Sequence, residues 1–130
     1  MAKPLLIGIA NPHEGAEALS PWITGCSGWR LWKMMADCRP VTQEEYADLF
    51  DRTNLDVMEG EMFPAPSVTF LLGEEVRKAF KVHGMLIHPQ VVGGRKYRCI
   101  PHPSGRNLFY NYKENRDLVA QAFLEEIGKW

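Results

Sequence analysis

Apolar residues are grouped along this chain in two rhythms. Residues 4–9 (Pro-Leu-Leu-Ile-Gly-Ile) and 67–72 (Ser-Val-Thr-Phe-Leu-Leu) are continuous apolar runs with β-branched members. Such runs fit strands buried on both faces, as in a parallel sheet. Residues 50–55 and 97–100 read as two further strands, the first ending on Asn54. Between them the period changes to that of a helix. Leu31, Met34 and Met35 mark one helix over 29–36, capped by Ser27 or Gly28. Thr42-Gln43-Glu44-Glu45 has the form of a capping box and opens a second, with Tyr46, Leu49 and Phe50 on one face. Residues 74–80 form a third, acidic in its first turn and basic later, which suits the helix dipole. The last spans 116–127, capped by Asn115, with Leu118, Val119, Ala122, Phe123 and Ile127 inward. Residues 86–92 are mixed in character. The alternation predicts an α/β fold: residues 1–130 as one domain, a three-layer sandwich around a four-stranded, mostly parallel sheet.

Composition narrows the class. Hydrophobic residues at 45% and charged residues at 24% are ordinary for a globular domain. No apolar run approaches the roughly 20 residues of a membrane span, and the N-terminus lacks a signal-peptide pattern. Cys26, Cys38 and Cys99 are odd in number and widely separated, so no disulfide framework, zinc site or iron–sulfur cluster is expected. A cytoplasmic protein without metal or cofactor is the expectation. The net charge of −1 conceals a segregation. From residue 77 to 113 the charged residues are Arg77, Lys78, Lys81, Arg95, Lys96, Arg98, Arg106 and Lys113, with no acid among them. Residues 44–61 are acidic apart from Arg52. That separation suggests a face built for a polyanion.

The candidate chemistry lies where strands end. Asn11-Pro12-His13-Glu14-Gly15 follows the first strand, and Asn54 closes the second. Pro101-His102-Pro103-Ser104-Gly105-Arg106-Asn107-Leu108-Phe109 follows the fourth, fixing a histidine between two prolines. Open α/β sheets hold ligands at such carboxyl ends. Trp22, between a proline and glycines, either plugs the core or forms a stacking platform.

Taken together, these segments resemble the uracil-DNA glycosylase superfamily over nearly the whole chain. Gly8-Ile9-Ala10-Asn11-Pro12 is similar to its first motif. Pro101 to Asn107 is similar to its last, combining features of the single-strand-selective and mismatch-specific branches. Thr53-Asn54-Leu55 resembles the strand end that reads the pyrimidine edge, Pro21-Trp22-Ile23 with Gly25 and Gly28 a loop whose aromatic stacks on the base, and Leu71-Leu72-Gly73 a buried strand-turn. The resemblance implies a uracil-DNA glycosylase-like fold and a monofunctional hydrolase of the N-glycosidic bond of uracil, or a related modified pyrimidine, flipped out of single- or double-stranded DNA. It makes Asn11 and His102 the catalytic pair, and Trp22, Asn54 and His13 base-binding residues. Ser104, Gly105, Arg106, Asn107, Leu108 and Phe109 become the DNA-binding arm. Asn-Pro-His departs from the well-known branches and leaves open which residue polices the pyrimidine C5 position, with His13 and Glu14 the candidates. A monomer is expected. The alternatives are an inactive relative that binds DNA or a protein, and a hydrolase of free pyrimidine nucleosides or nucleotides.

Overall fold

The computed structural model describes residues 3–9, 18–56, 65–83, 86–104 and 107–127. In chain order these form β1 (Leu5–Gly8), α1 (Ser27–Cys38), α2 (Gln43–Leu49), β2 (Asp51–Asn54) and β3 (Thr69–Leu72). There follow α3 (Glu74–Ala79), β4 (Gln90–Val92), β5 (Arg95–Ile100), a 3-10 turn (Leu108–Asn111) and α4 (Lys113–Ile127). The protein is α/β, with one mixed sheet of five strands in the order β2-β1-β3-β5-β4.

Three of the four neighbouring pairs in that order are parallel, and β4 pairs antiparallel with β5. The expected four-stranded sheet is therefore one strand short. The cause is local: Gly93 (φ +59°) and Gly94 (φ +79°) make a two-residue hairpin connection. Positive φ at both positions is what the primed turn of such a hairpin requires. It folds part of the mixed 86–92 segment back onto β5 as an edge strand, leaving Val91 and Val92 exposed.

Alternate strand residues separate two cores. Leu6, Phe70, Leu72 and Ile100 face α1, α2 and α4. Leu5, Ile7, Leu71 and Cys99 face Val76 of α3. The helices thus cover both faces of the sheet, as the continuous apolar strand runs require. The larger core centres on Phe123 of α4, whose ring lies 4.3 Å from that of Phe70 and edge-on to Phe50 at 5.8 Å. Thr42 forms both bonds of its capping box with Glu45. The other two cap expectations are corrected. Helix α1 begins after Cys26, with no side-chain cap. Helix α4 begins at Lys113, so Asn115 lies inside it and its amide donates to the Phe109 carbonyl instead. Leu118, expected inward, is 53% exposed, because its neighbour Val119 takes the buried position.

The basic run is also broken up by folding. Arg98 is buried on β5, donating to Glu125 and Glu126 of α4 at 3.0 and 2.9 Å and to the Ile87 carbonyl at 2.7 Å. Lys96 pairs with Glu126 as well. Two cations expected on the polyanion face are therefore neutralised by acids some thirty residues away in sequence. Glu126 is shared by both, so Glu126→Ala is expected to lower unfolding stability by about 3 kcal/mol, the low end for breaking a buried pair because Glu125 remains. A urea denaturation curve measures it.

Candidate functional site

The sheet reverses its winding at β1: the chain passes from β1 to β2 on one side, then returns to β3 on the other. The carboxyl end of β1 is consequently a topological switch point, where ligand crevices form in such sheets. Gly8 ends β1 beside Asn54 of β2, in register. A Cβ on Gly8 would stand 2.5 Å from Asn54 Oδ1, so the glycine is what allows the Asn54 amide to lie across the strand end. Asn54 is 2% exposed.

On the other side, the Gly73 N–H donates to the Ile100 carbonyl at 2.8 Å, tying the ends of β3 and β5 together. Gly73 has φ +101°, and a Cβ there would meet His102 Cβ and Cδ2 at 3.3 Å. The imidazole of His102 therefore packs over the end of β3, and glycine is required both for the backbone conformation and for this approach. His102 lines an open cleft of about 450 Å³ together with Gly73, Glu74, Arg77, Pro101 and Asn107. Sequence reading placed Arg77 only in a general phosphate-binding run and overlooked Glu74. Both are carried into the cleft because α3 starts directly after Gly73.

The turn beyond His102 is braced at three points. The Asn107 amide donates to the His102 carbonyl at 2.9 Å and accepts from the Phe109 N–H at 3.1 Å. Tyr110 donates its hydroxyl to the Pro101 carbonyl. Burial pushes the Tyr110 phenol up, which keeps it a donor. Asn107 is thus engaged within its own loop. Phe109 is half-buried against the larger core and edge-on to Tyr110 at 5.1 Å, whereas Leu108 is 73% exposed. Of the residues expected to enter DNA, Leu108 alone among the described ones stands out in solvent. Trp22 is 50% exposed, so it does not plug the core; its backbone N–H donates to Ser20 Oγ at 3.2 Å.

No protein-family model matches this chain, and no curated protein matches its sequence.

The structure therefore brings Asn54 and His102 to one edge of the sheet, on either side of the end of β1. Neither Asn54 nor Trp22 lines the His102 cleft. Ser104 lines a second cleft on the far side of the same turn, beside Trp29 and Arg116. Asn11, His13, Gly105 and Arg106 lie outside the described residues. Among the described residues no cluster of His, Cys, Asp and Glu is arranged to hold a metal ion, and no helix is long and apolar enough to cross a membrane.

The protonation state of His102 follows from its surroundings. Desolvation lowers its pKa from the ordinary 6.5, against a smaller upward pull from Glu75. The ring is neutral at pH 7 and offers one N–H donor. Because the folded pKa is depressed, the native state binds fewer protons than the unfolded chain as pH falls through 6.5, and this group's contribution to stability is lost there. Activity that depends on neutral His102 is expected to be level above pH 6.5 and to fall, not rise, as pH is lowered below it. A pH–rate profile between pH 5 and 8 reads the sign.

Proposed function

We propose that the protein is a monofunctional DNA glycosylase of the uracil-DNA glycosylase superfamily, with that superfamily's three-layer fold, removing uracil or a related modified pyrimidine. The observation that carries the reading is the placement of Asn54 and His102 about the end of β1, three residues before Asn11.

The chemistry fits those residue types. Removing a base from DNA requires extruding it from the stack and holding it between a platform and directed hydrogen bonds. The Asn54 amide donates and accepts at once, matching adjacent O4 and N3–H groups of uracil. Water adds at C1′ and sheds a proton to solvent, the glycosidic bond breaks, and the electron pair leaves with the base as an anion, partly on O2; the base takes a proton at N1 from solvent after it departs. A neutral His102 N–H aimed at O2 stabilises that charge without surrendering its proton. Asn11 orients the water, Trp22 stacks on the base, and Leu108 fills the space the base vacates. An asparagine at position 11 is no general base, so positioning and leaving-group stabilisation carry the rate.

The test is a panel of oligonucleotides, each bearing one uracil or C5-modified pyrimidine, assayed for free base and an alkali-labile abasic site. Release from at least one member is the expected result; none released from any member overturns the reading. A second reading, hydrolysis of free pyrimidine nucleosides or nucleotides, is favoured by the neutralisation of Arg98 and Lys96. Turnover of monomers that is indifferent to salt would select it, since polymer binding weakens steeply as salt rises.

A further inference from the structure

The turn from His102 to Tyr110 has a cavity on each side. The second, of about 270 Å³, lies between α1 and the start of α4 and is lined by Trp29, Arg30, Lys33, Ser104 and Arg116. Nothing in the chemistry at His102 uses it. Three of these residues are cations, and the one carboxylate among the cleft's described residues, Asp37, meets Lys33 at 2.9 Å in an exposed i,i+4 pair; unlike the buried Arg98 pair, it is screened by solvent and leaves Lys33 able to turn to a phosphate. The net charge of the lining is positive.

The side chains are held in place. Arg30 donates Nε to the Gly25 carbonyl at 2.9 Å. Arg116 donates to the Tyr110 carbonyl at 2.8 Å. Each arginine spends one bond on positioning and keeps the remaining edge of its guanidinium for an acceptor, the bidentate arrangement that suits phosphate. Trp29 is half-buried and its ring is set edge-on to Trp32 at 6.1 Å, while Trp32 is anchored by its indole N–H on the Val41 carbonyl at 2.8 Å. A fixed indole beside fixed cations is the combination that takes a flat base and its phosphate together.

We propose that this cleft is a nucleotide subsite: it binds one base-and-phosphate unit, as the residue of the same strand next to the one held at His102. The proposal rests on the reading of the substrate as a nucleic acid. Its geometry is the shared wall: Pro101, His102 and Asn107 line one cavity, Pro103, Ser104 and Tyr110 the other. A strand crossing the turn places successive units on its two sides. The cations come from α1 and α4, far apart in sequence, so no charge run announces them.

A labelled single-stranded decamer of ordinary bases, titrated by fluorescence anisotropy, tests this without requiring any base release. Trp29→Leu is expected to weaken binding about tenfold, the loss of one stacked base. Lys33→Gln is expected to weaken it about threefold and to lower the salt slope of log K by about one, the loss of one phosphate contact. Lys33 is an exposed helix residue, so its variant folds even if Trp29→Leu does not. Unchanged affinity and salt slope in Lys33→Gln, with Trp29→Leu folded and binding normally or failing to fold, overturn the proposal. A mononucleotide that binds as tightly as the decamer, and is weakened equally by Lys33→Gln, assigns the site to a free nucleotide of the same chemistry. Weakened decamer binding without base release from any substrate leaves the subsite standing and removes the glycosylase reading. Base release with unweakened binding does the reverse.

Discussion

Replacing His102 by alanine is expected to slow base release by about 10²- to 10³-fold with little change in unfolding stability. The magnitude is that of one hydrogen-bond donor removed from a developing anion, about 2.7–4 kcal/mol. The selectivity for rate over stability follows from how the turn is held. The contacts that fix it use the backbone of residue 102: its carbonyl accepts from the Asn107 amide and from the Ser104 N–H, both at 2.9 Å. Pro101 and Pro103 restrict φ on either side, and Tyr110 secures the Pro101 carbonyl. Alanine keeps all of these, and keeps the Cβ that packs on Gly73. What it removes is the ring. The substrate is still gripped by the rest of the site, so the loss falls on kcat more than on KM. Single-turnover base release and a thermal melt of the same variant separate the two effects. A rate within tenfold of wild type would place the stabilising donor elsewhere.

How much of this was legible beforehand differs from element to element. Strands β1 and β3 announce themselves because burial on both faces leaves their sequences continuously apolar. The capping box of α2 is local chemistry within four residues and was read directly. The hairpin was missed although Gly93-Gly94 is itself a turn signal, because β4 is an exposed edge strand of three residues with no alternation to read. Arg98 was misread for a different reason. Its partners Glu125 and Glu126 are brought to it by the packing of α4 on the sheet, and charge segregation along the sequence carries no information about that contact. The same limit hid the Trp29 cleft, assembled from two helices and a turn. At the candidate site, His102 is legible as the first polar residue after the apolar end of a strand, Cys99-Ile100-Pro101, whereas Asn54 follows Asp51, Arg52 and Thr53 and stands out only as the end of a short strand similar to a known motif. Arg77 and Glu74 needed the structure, since only the direction of α3 shows that they share a cleft with His102.

Gly28→Ala is expected to destabilise the fold by about 2–3 kcal/mol or more, against the ordinary preference of helices for alanine. Inside a helix that preference is worth about 0.5–1 kcal/mol in alanine's favour. Here it is outweighed by contact with backbone. A Cβ on Gly28 would stand 2.0 Å from the Leu19 carbonyl oxygen and 2.5 Å from that of Ser20. Neither can yield as a side-chain end can, because the segment is also pinned from α2: Tyr46 donates its hydroxyl to the Leu19 carbonyl at 3.0 Å, and Gln43 its amide to the Pro21 carbonyl at 2.8 Å. Leu19 already sits at φ +51°, so it has little conformational slack. The loop must lift from α1, exposing core and costing at least what overpacking usually costs. Gly25 supplies the contrast. It has φ +88° but no neighbour within 4 Å of an added Cβ, so Gly25→Ala bears only the backbone strain of a left-handed residue, about 1–2 kcal/mol. Urea midpoints of the two variants should fall in that order, and the reverse order would refute the close approach of the loop to α1. Because the displaced segment leads directly into Trp22, Gly28→Ala should also weaken binding of a flipped pyrimidine at protein concentrations where the variant is still folded, whereas Gly25→Ala, which crowds nothing, should retain that binding.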